Sequence, residues 1–228
     1  MKKKVHLAAR GIIIVMLLLL QVLPSAYSQT VSIRIDGPGS LKGRKAILLT
    51  REKGFAATVH SVKLTAGNID LQLSGDLVPD LYQLNVSQMK GALFFFLEPG
   101  THIYLDTLDV SRSIVTQSKS NPDWQLFQET VQKTYDQKFA TYTSAETRAR
   151  KKGTTDSLNY WIEQKTLEYD LLLERTKTFI LTHPDSFVSL YLLKNNWYAF
   201  KNAGLLEKLD PALAVHRSYR FLKGKRKG

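Results

Sequence analysis

Two pairs of carboxylates are the side chains of this chain whose type and spacing come nearest to catalytic chemistry. Asp106 with Asp109, and Asp76 with Asp80, follow strand-like segments. Two carboxyl groups about 5–10 Å apart in a cleft could hydrolyse a glycosidic bond. Acids at strand ends, however, commonly form turns through side-chain hydrogen bonds. No nucleophile or base is spaced to work with either pair, and there is no Gly-x-Ser-x-Gly motif, so the spacing favours turns over hydrolysis.

The histidines raise the question of a metal site. His60 and His102 are the two candidates, but no histidine lies at metal-ligand spacing from another, so a site would need distant segments to converge. His60 shares a strand face with Val62 and Leu64, which favours a hydrogen-bonded histidine at the core or edge of a sheet. The chain has no cysteine, which excludes thiolate nucleophiles and cysteine-ligated metals. We expect no catalytic residue, cofactor or metal.

Residues 1–28 have the pattern of a signal peptide. Basic residues 2–4 and Arg10 precede the apolar run 11–20, Pro24 breaks the run, and Ala26 and Ser28 suit cleavage before Gln29. The run is shorter than the about 20 residues of a membrane span. A retained single-helix anchor is the alternative, and a lipoprotein anchor would need a cysteine. We predict an exported protein, in the periplasm of a Gram-negative envelope.

Residues 29–117 predict a β-rich part. Apolar and polar residues alternate in several short runs separated by turn signals, as in half-buried strands. The turn signals are Gly37-Pro38-Gly39-Ser40, Lys53-Gly54, Gly67-Asn68 and Pro99-Gly100. The runs 46–49 and 92–97 are apolar on both faces, so each must be covered on both sides. Exposure of residues 94–96 would instead indicate an aggregation-prone or partner-docking edge.

Residues 118–222 predict a helical part. Ser120 or Asn121 is expected to cap a first helix, which carries an apolar stripe at helical spacing and ends before Gly153. A second helix spans about 156–182 and stops at His183-Pro184. Its predicted buried face comprises Leu158, Trp161, Ile162, Tyr169, Leu172, Leu173 and Ile180. Asp185-Ser186 should cap a third helix, with weaker helical segments at 205–209 and after Pro211.

Together these patterns predict an α+β fold. An antiparallel β-sandwich-like part packs against a C-terminal helical hairpin with short extra helices. The order is signal peptide 1–28, β-rich part 29–117, helical part 118–222 and basic tail 223–228. The runs that are apolar on both faces predict that the two parts form one packed unit.

Three aromatic residues are the candidate partner-binding site. Trp197, Tyr198 and Phe200 follow the third predicted helix, and tyrosine and tryptophan give large contact areas at small entropic cost. The alternative is that the three side chains close the helical layer against the sheet, as most aromatic clusters do.

The C-terminal end is strongly basic. From His216 onward there is no acid, and the basic side chains are Arg217, Arg220, Lys223, Lys225, Arg226 and Lys227. A solvated terminus is one interpretation, and weak attraction to anionic lipid is another. Nucleic acid is a third, but export of the protein argues against a nucleic-acid partner.

Three stretches resemble a known domain. These are 95–100 (FFLEPG), 118–124 (SKSNPDW) and 183–193 (HPDSFVSLYLL). In this order they are similar to the N-terminal domain of unknown function that precedes the thioredoxin domain in bacterial envelope thiol–disulfide oxidoreductases of the TlpA-like kind. The resemblance covers about residues 30–210 and implies the fold and the compartment. In that family a following Cys-x-x-Cys domain does the redox work, and this sequence contains no such pair.

The leading functional prediction is a non-catalytic accessory or binding domain of the cell envelope that acts by protein–protein contact. A separately encoded thioredoxin-like envelope protein is the expected partner. One alternative is an orphaned fragment of a TlpA-like oxidoreductase, which the DNA beyond the codon for Gly228 would reveal. A second alternative is a glycan-binding or hydrolase domain.

Overall fold

Eight short strands and six α-helices make up the part of the chain that the computed structural model describes, residues 30–50, 56–65, 67–74 and 79–226. The strands occupy the first half of this part. They are β1 Thr30–Gly37, β2 Lys45–Thr50, β3 Ala57–Lys63, β4 Gly67–Ser74, β5 Asp80–Val86, β6 Leu93–Leu97, β7 His102–Tyr104 and β8 Ile114–Thr116. Gly67 and Asn68, predicted as a turn, begin β4 instead, and the predicted Lys53-Gly54 turn lies outside the described residues.

The strands form two four-stranded sheets, with the orders β4-β1-β7-β8 and β3-β2-β5-β6. We call them sheet A and sheet B. Neighbouring strands are antiparallel except β1 and β7, which are parallel with Ile35 opposite Ile103. The sandwich-like α+β fold is therefore confirmed, but the expectation of purely antiparallel pairing was wrong at this pair. The chain leaves sheet B after β6, turns at Pro99 and Gly100, and enters sheet A beside β1.

Alternating side chains of the two sheets meet in the first core. Ile33 and Ile35 of sheet A and Leu84 and Phe95 of sheet B are among its fully buried members. The opposite face of sheet A is polar at Ser32 and Arg34, which are exposed. This alternation with a period of two is expected for a sheet with one buried face and one solvent-exposed face.

A second core lies between the outer face of sheet B and the helices. Leu81 of β5 and Phe96 of β6 point away from the first core and pack with helical side chains that include Phe127, Ile180 and Leu193. Burial on both faces of β5 and β6 is the reason that these strands are apolar or only weakly alternating. The prediction that helices cover the run 92–97 is confirmed at Phe96, while Phe94 remains 41% exposed.

The helices are α1 Ser120–Phe127, α2 Lys133–Lys152, α3 Thr155–Thr182, α4 Phe187–Asn195, α5 Trp197–Phe200 and α6 Arg217–Lys225. A π-helical turn, Gln128–Gln132, joins α1 to α2. Gly153, with φ of 68°, ends α2 in the left-handed conformation that glycine adopts without a Cβ clash. Helices α2 and α3 then form the predicted hairpin, and α3 stops at His183. Within the described residues, no helix has the length and apolarity required to span a bilayer.

The prediction of the buried face of α3 was wrong at two residues. Ile162 and Tyr169 are 45% and 46% exposed. Where the hairpin extends beyond the sheet it consists of α2 and α3, and α2 covers only a narrow strip of the surface of α3. Residues 205–209 form turns and no helix. Helix α6 continues to Lys225, so the first residues of the predicted tail 223–228 belong to a helix whose Leu222 is fully buried.

Candidate functional site

A cleft of about 630 Å³ opens where the terminal strand of each sheet meets helix α1. We call it the β6–β8 cleft. Strand β6 is the last strand of sheet B, and β8 is the last strand of sheet A. The lining residues are Leu93, Phe94, Ser111, Arg112, Ser113, Ile114, Val115, Thr116, Gln117, Ser118, Asn121, Pro122, Trp124, Gln125 and Gln128.

Asn121 ties the first turn of α1 to the edge of β6. Its Oδ1 accepts a hydrogen bond from the Phe96 backbone N–H at 2.8 Å, and its Nδ2 donates to the Phe96 carbonyl oxygen at 2.7 Å. This paired contact imitates a neighbouring strand for one residue of β6. Asn121 therefore does not cap α1 as predicted, because its side chain is hydrogen-bonded to the backbone of β6.

The first turn of α1 is capped both locally, by Ser118 Oγ, which accepts from the Asn121 backbone N–H at 3.1 Å, and from a different part of the chain. The buried Glu98 carboxylate, just after β6, accepts hydrogen bonds from the backbone N–H groups of Lys119 and Ser120 at 2.8 and 3.1 Å. It also accepts from the hydroxyls of Ser118 and Ser120. A carboxylate at the positive end of a helix is electrostatically favourable. The expectation that Ser120 caps α1 was wrong because Ser120 is already a helical residue and donates its hydroxyl proton.

Trp124 forms the deep aromatic wall of the cleft. Its ring is edge-on to Phe96 and Tyr191, with ring centroids 5.8 and 5.9 Å away, and is stacked on Phe127 at 6.0 Å. Aromatic side chains with such contacts have little freedom to move. Trp124 is therefore held by the second core, whereas Ile114, which also lines the cleft, is 62% exposed.

The loop between β7 and β8 is shaped by the first predicted carboxylate pair. The Asp106 Oδ1 accepts from the backbone N–H groups of Asp109 and Leu108, and these bonds lower the pKa of Asp106. Hydrogen bonds from the Ser111 hydroxyl and backbone N–H likewise lower the pKa of Asp109. Both carboxylates act as turn formers, which is the interpretation that the sequence favoured.

The second carboxylate pair does not supply a catalytic arrangement. Asp76 lies outside the described residues. Asp80 is 6% exposed and engaged with Arg217, whose Nη2 lies 3.0 Å from Asp80 Oδ2, and with Lys194 at 3.6 Å. Its other oxygen accepts from the Leu81 backbone N–H. Asp80 therefore connects β5 to α4 and α6.

The two histidines considered for a metal lie in different sheets. His60 is on β3 of sheet B, and His102 is on β7 of sheet A. His102 Nε2 is 2.8 Å from Asp36 Oδ2 and its ring packs on Tyr104. Burial opposes ionisation of Asp36, but hydrogen bonds from His102 and Arg34 prevail and lower its pKa. Among the described residues, no group of three or more His, Cys, Asp or Glu side chains is placed to hold a metal.

The three predicted partner-binding aromatics separate into two kinds. Trp197 and Phe200 are 7% and 5% exposed and belong to the second core. Tyr198 is 80% exposed. The packing interpretation therefore holds for Trp197 and Phe200, because successive residues of the short helix α5 point in different directions. Only Tyr198 of the three presents its ring to solvent.

The β6–β8 cleft is chemically suited to hold a neutral, extended ligand. Amide and hydroxyl groups dominate its lining, and Arg112 is the one ionisable side chain among the described residues that line it. Amides and hydroxyls both donate and accept hydrogen bonds, as a peptide backbone requires. Two of the lining hydroxyls, those of Ser111 and Ser118, donate to the carboxylates of Asp109 and Glu98, which do not themselves line the cleft.

Sequence reasoning did not find this cleft as a site. Gln117, Gln125 and Gln128 belong to no motif, and their convergence depends on the crossing of the chain between sheets. Of the three stretches compared with a known domain, only 118–124 contributes to its lining, at Ser118, Asn121, Pro122 and Trp124. Stretch 95–100 lies beside the cleft and is joined to the start of α1 through the hydrogen bonds of Phe96 with Asn121 and of Glu98 with Lys119. Comparisons of this chain with protein-family models, with curated proteins and with solved structures each gave no match.

Proposed function

We propose that this protein is a non-catalytic binding domain of the bacterial cell envelope, which holds an extended segment of a partner protein in the β6–β8 cleft. The observation that carries the proposal is the position of the cleft between the terminal strands of both sheets. Terminal strands can add an extended peptide as a further strand. Because Asn121 already occupies the backbone groups of Phe96 on β6, the edge proposed to pair with the peptide is that of β8.

The lining of the cleft supports a peptide over a charged small molecule. A peptide backbone presents alternating donors and acceptors, which match the amides of Gln117, Gln125 and Gln128. The exposed parts of Phe94 and Ile114 offer apolar contacts for alternate side chains of an extended peptide. The π-helical turn that begins at Gln128 adjoins the cleft, and such turns are frequent at functional sites.

The compartment and the kind of partner rest on the sequence. The signal-peptide pattern of residues 1–28 supports export to the periplasm. The resemblance to the domain that precedes the thioredoxin domain in TlpA-like oxidoreductases supports a thioredoxin-like envelope protein as partner. The redox centre would then be the partner's, since this chain has no cysteine.

Selection from a library of unstructured peptides, with the purified protein as bait, tests the cleft. We expect selected peptides to lose at least about tenfold in affinity when I114R and Q125R place two long charged side chains at the mouth of the cleft, since a buried unpaired charge costs about 3 kcal/mol or more. Leu167→Arg, at a half-exposed position of α3, is the matched control and should bind as the parent does.

Two results would overturn the proposal. One is equal peptide binding by the I114R/Q125R variant and the parent. The other is a glycan array in which sugars bind and peptides do not, with loss in the same variant, which would favour the glycan-binding alternative. Cross-linking in the envelope that recovers no thioredoxin-fold protein would remove that partner and leave the cleft for another one.

A further inference from the structure

The last helix, α6, has one face fixed on the protein and one face open. On the fixed side, Leu222 is fully buried and Ser218 is 5% exposed. The helix start is held by His216, whose Nδ1 accepts from the Ser218 backbone N–H and whose Nε2 lies 2.8 Å from the Pro79 carbonyl oxygen. Arg217 is paired with Asp80. The orientation of α6 is therefore set by two polar contacts, of His216 with Pro79 and of Arg217 with Asp80, and by the burial of Leu222 in the second core.

The open face of α6 is basic and aromatic. Successive residues of a helix turn by about 100°, so Arg220 lies nearly opposite Leu222, while Phe221 and Lys223 lie about 100° to either side of Leu222. Lys225 is four residues after Phe221 and lies on the same side of the helix as Phe221. Phe221 is 52% exposed, and Arg220, Lys223 and Lys225 are exposed. Tyr198 of α5 extends this face, because Lys225 Nζ lies 5.4 Å from the Tyr198 ring centroid and 4.9 Å from that of Phe221. We call these five residues the basic aromatic patch.

The charge of the patch has one sign. None of its five residues is acidic. Glu207, an acid that contacts the end of α6, pairs with Arg226. Arg226 is therefore left out of the patch. Single exposed aromatics are common on proteins, but two rings joined through one lysine form a surface feature.

We propose that the basic aromatic patch binds the surface of a bilayer that contains anionic lipid. Basic side chains are attracted to the lipid phosphates. The Tyr198 ring, with an apolar body and a polar hydroxyl, is favoured at the boundary between headgroups and acyl chains, and the apolar Phe221 ring gains by insertion among the acyl chains. A soluble polyanion would use the charges but would gain little from two protruding rings.

The patch and the β6–β8 cleft consist of different residues, so this inference goes beyond the proposed function. Tyr198 and α6 are absent from the cleft lining. A protein held reversibly at a membrane surface could still present the cleft to a partner. If the patch does not bind membranes, the proposal of peptide binding at the cleft is unaffected. If the cleft does not bind peptides, the proposal of membrane binding by the patch is unaffected.

Sedimentation with vesicles of phosphatidylcholine, with and without phosphatidylglycerol, tests the patch. We expect R220Q/K223Q to lower the partition coefficient on anionic vesicles by on the order of tenfold, and added salt to lower it further. Y198A/F221A should also weaken binding. The matched controls are R148Q/K151Q and Y160A, at exposed basic and half-exposed aromatic positions of the helical hairpin.

Each variant is compared with its parent as the full chain and as a chain that starts at Gln29. The comparison is needed because the apolar run 11–20 could enter a bilayer regardless of lipid charge. All substituted side chains are exposed, so far-ultraviolet circular dichroism and the midpoint of urea unfolding should match the parent for every variant.

Three outcomes would overturn the inference. The first is partitioning that is independent of phosphatidylglycerol. The second is an equal loss in R148Q/K151Q, which would indicate net charge and no defined patch. The third is binding of duplex DNA or soluble polyphosphate that Y198A/F221A does not weaken, together with unchanged vesicle binding in the same variant, which would indicate a polyanion site.

Discussion

The Glu98 carboxylate accepts hydrogen bonds from both the backbone N–H and the hydroxyl of Ser120, at 3.1 and 2.6 Å. This contact joins the turn after β6 to the first turn of α1. It is buried, since Glu98 is 7% and Ser120 2% exposed. The Glu98 carboxylate thus caps the first turn of α1 and at the same time links the β-rich part to the helical part.

Substitution of Glu98 should destabilise the whole domain. In E98A the hydroxyls of Ser118 and Ser120 and two backbone N–H groups lose their acceptor inside the protein, so we expect the free energy of unfolding to fall by about 2–3 kcal/mol. Urea unfolding followed by tryptophan fluorescence measures the change. Glu163→Ala, at an exposed site on α3, should change the free energy by less than about 0.5 kcal/mol.

A double-mutant cycle separates the contact from a general loss of packing. The effect of Glu98→Gln should be clearly smaller in a Ser120→Ala background than in the parent, because the lost partner is shared. Strict additivity of the two effects would contradict the role assigned to Glu98.

Adjacent phenylalanines on β6 should respond very differently to truncation. Phe96 is fully buried in the second core, so F96A should cost about 3–5 kcal/mol of the free energy of unfolding. Phe94 is 41% exposed, so F94A should cost only about 1 kcal/mol or less. Thermal and urea unfolding of the pair give the comparison. Similar losses in both variants would mean that the helices do not cover sheet B as described.

Protonation of His216 should lower the stability of the protein as the pH falls below 6.5. Burial is the main cause that lowers the pKa of His216 below its ordinary value of 6.5, and nearby Arg217 and Lys194 act in the same direction. The hydrogen bond to the Pro79 carbonyl and the charge of Asp80 oppose the shift. The unfolded chain therefore binds the proton more readily than the folded chain does. Stability is complete above about pH 6.5 and falls as the pH drops toward the folded pKa.

The measurement is the slope of the free energy of unfolding against pH below 6.5 in the parent and in His216→Asn. The asparagine variant lacks the titrating ring, so its slope should be smaller by up to one proton, even though its overall stability is lower. Identical slopes in the two proteins would contradict the assignment of a neutral, buried His216.

Loss of the Asp80 carboxylate should release α6 from β5. Asp80→Ala leaves Arg217 and Lys194 without their buried counter-ion, and we expect a cost of about 3 kcal/mol. Asp70→Ala, at an exposed site on β4, is the control. Amide hydrogen exchange should show faster exchange across Arg217–Lys225 in the Asp80 variant. Unchanged exchange in this helix would contradict the anchoring role.

Local patterns were enough to predict most of the elements. Alternation identified the strands around Ile33 and Leu71, because one face of each strand is exposed to solvent, and it also identified the strands around Leu84 and Ile103, where polar residues such as Gln83 and His102 are themselves buried. The double-sided apolar run of β6 correctly indicated helices on the outer face of sheet B. The parallel pairing of β1 with β7 was missed, because strand direction depends on which sheet the chain enters after the turn at Gly100.

The candidate cleft could be predicted only in fragments. Ser120 and Asn121 were correctly identified as the start of a helix, but their partners lie more than twenty residues away along the chain, at Glu98 and Phe96. A local cap and a long-range acceptor use the same residue types, so the sequence pattern cannot distinguish them. Tyr198 and Trp197 are likewise adjacent in sequence and opposite in exposure.

The sequence by itself determined the periodicities, the absence of thiol chemistry, the signal-peptide pattern and the excess of basic residues near the C-terminus. Only the tertiary structure decided which polar groups become buried partners and which charged or aromatic side chains remain on a surface. The physical reason is that hydrophobic periodicity depends on near neighbours in the chain, whereas the cost of an unpaired polar group depends on everything that surrounds it after folding.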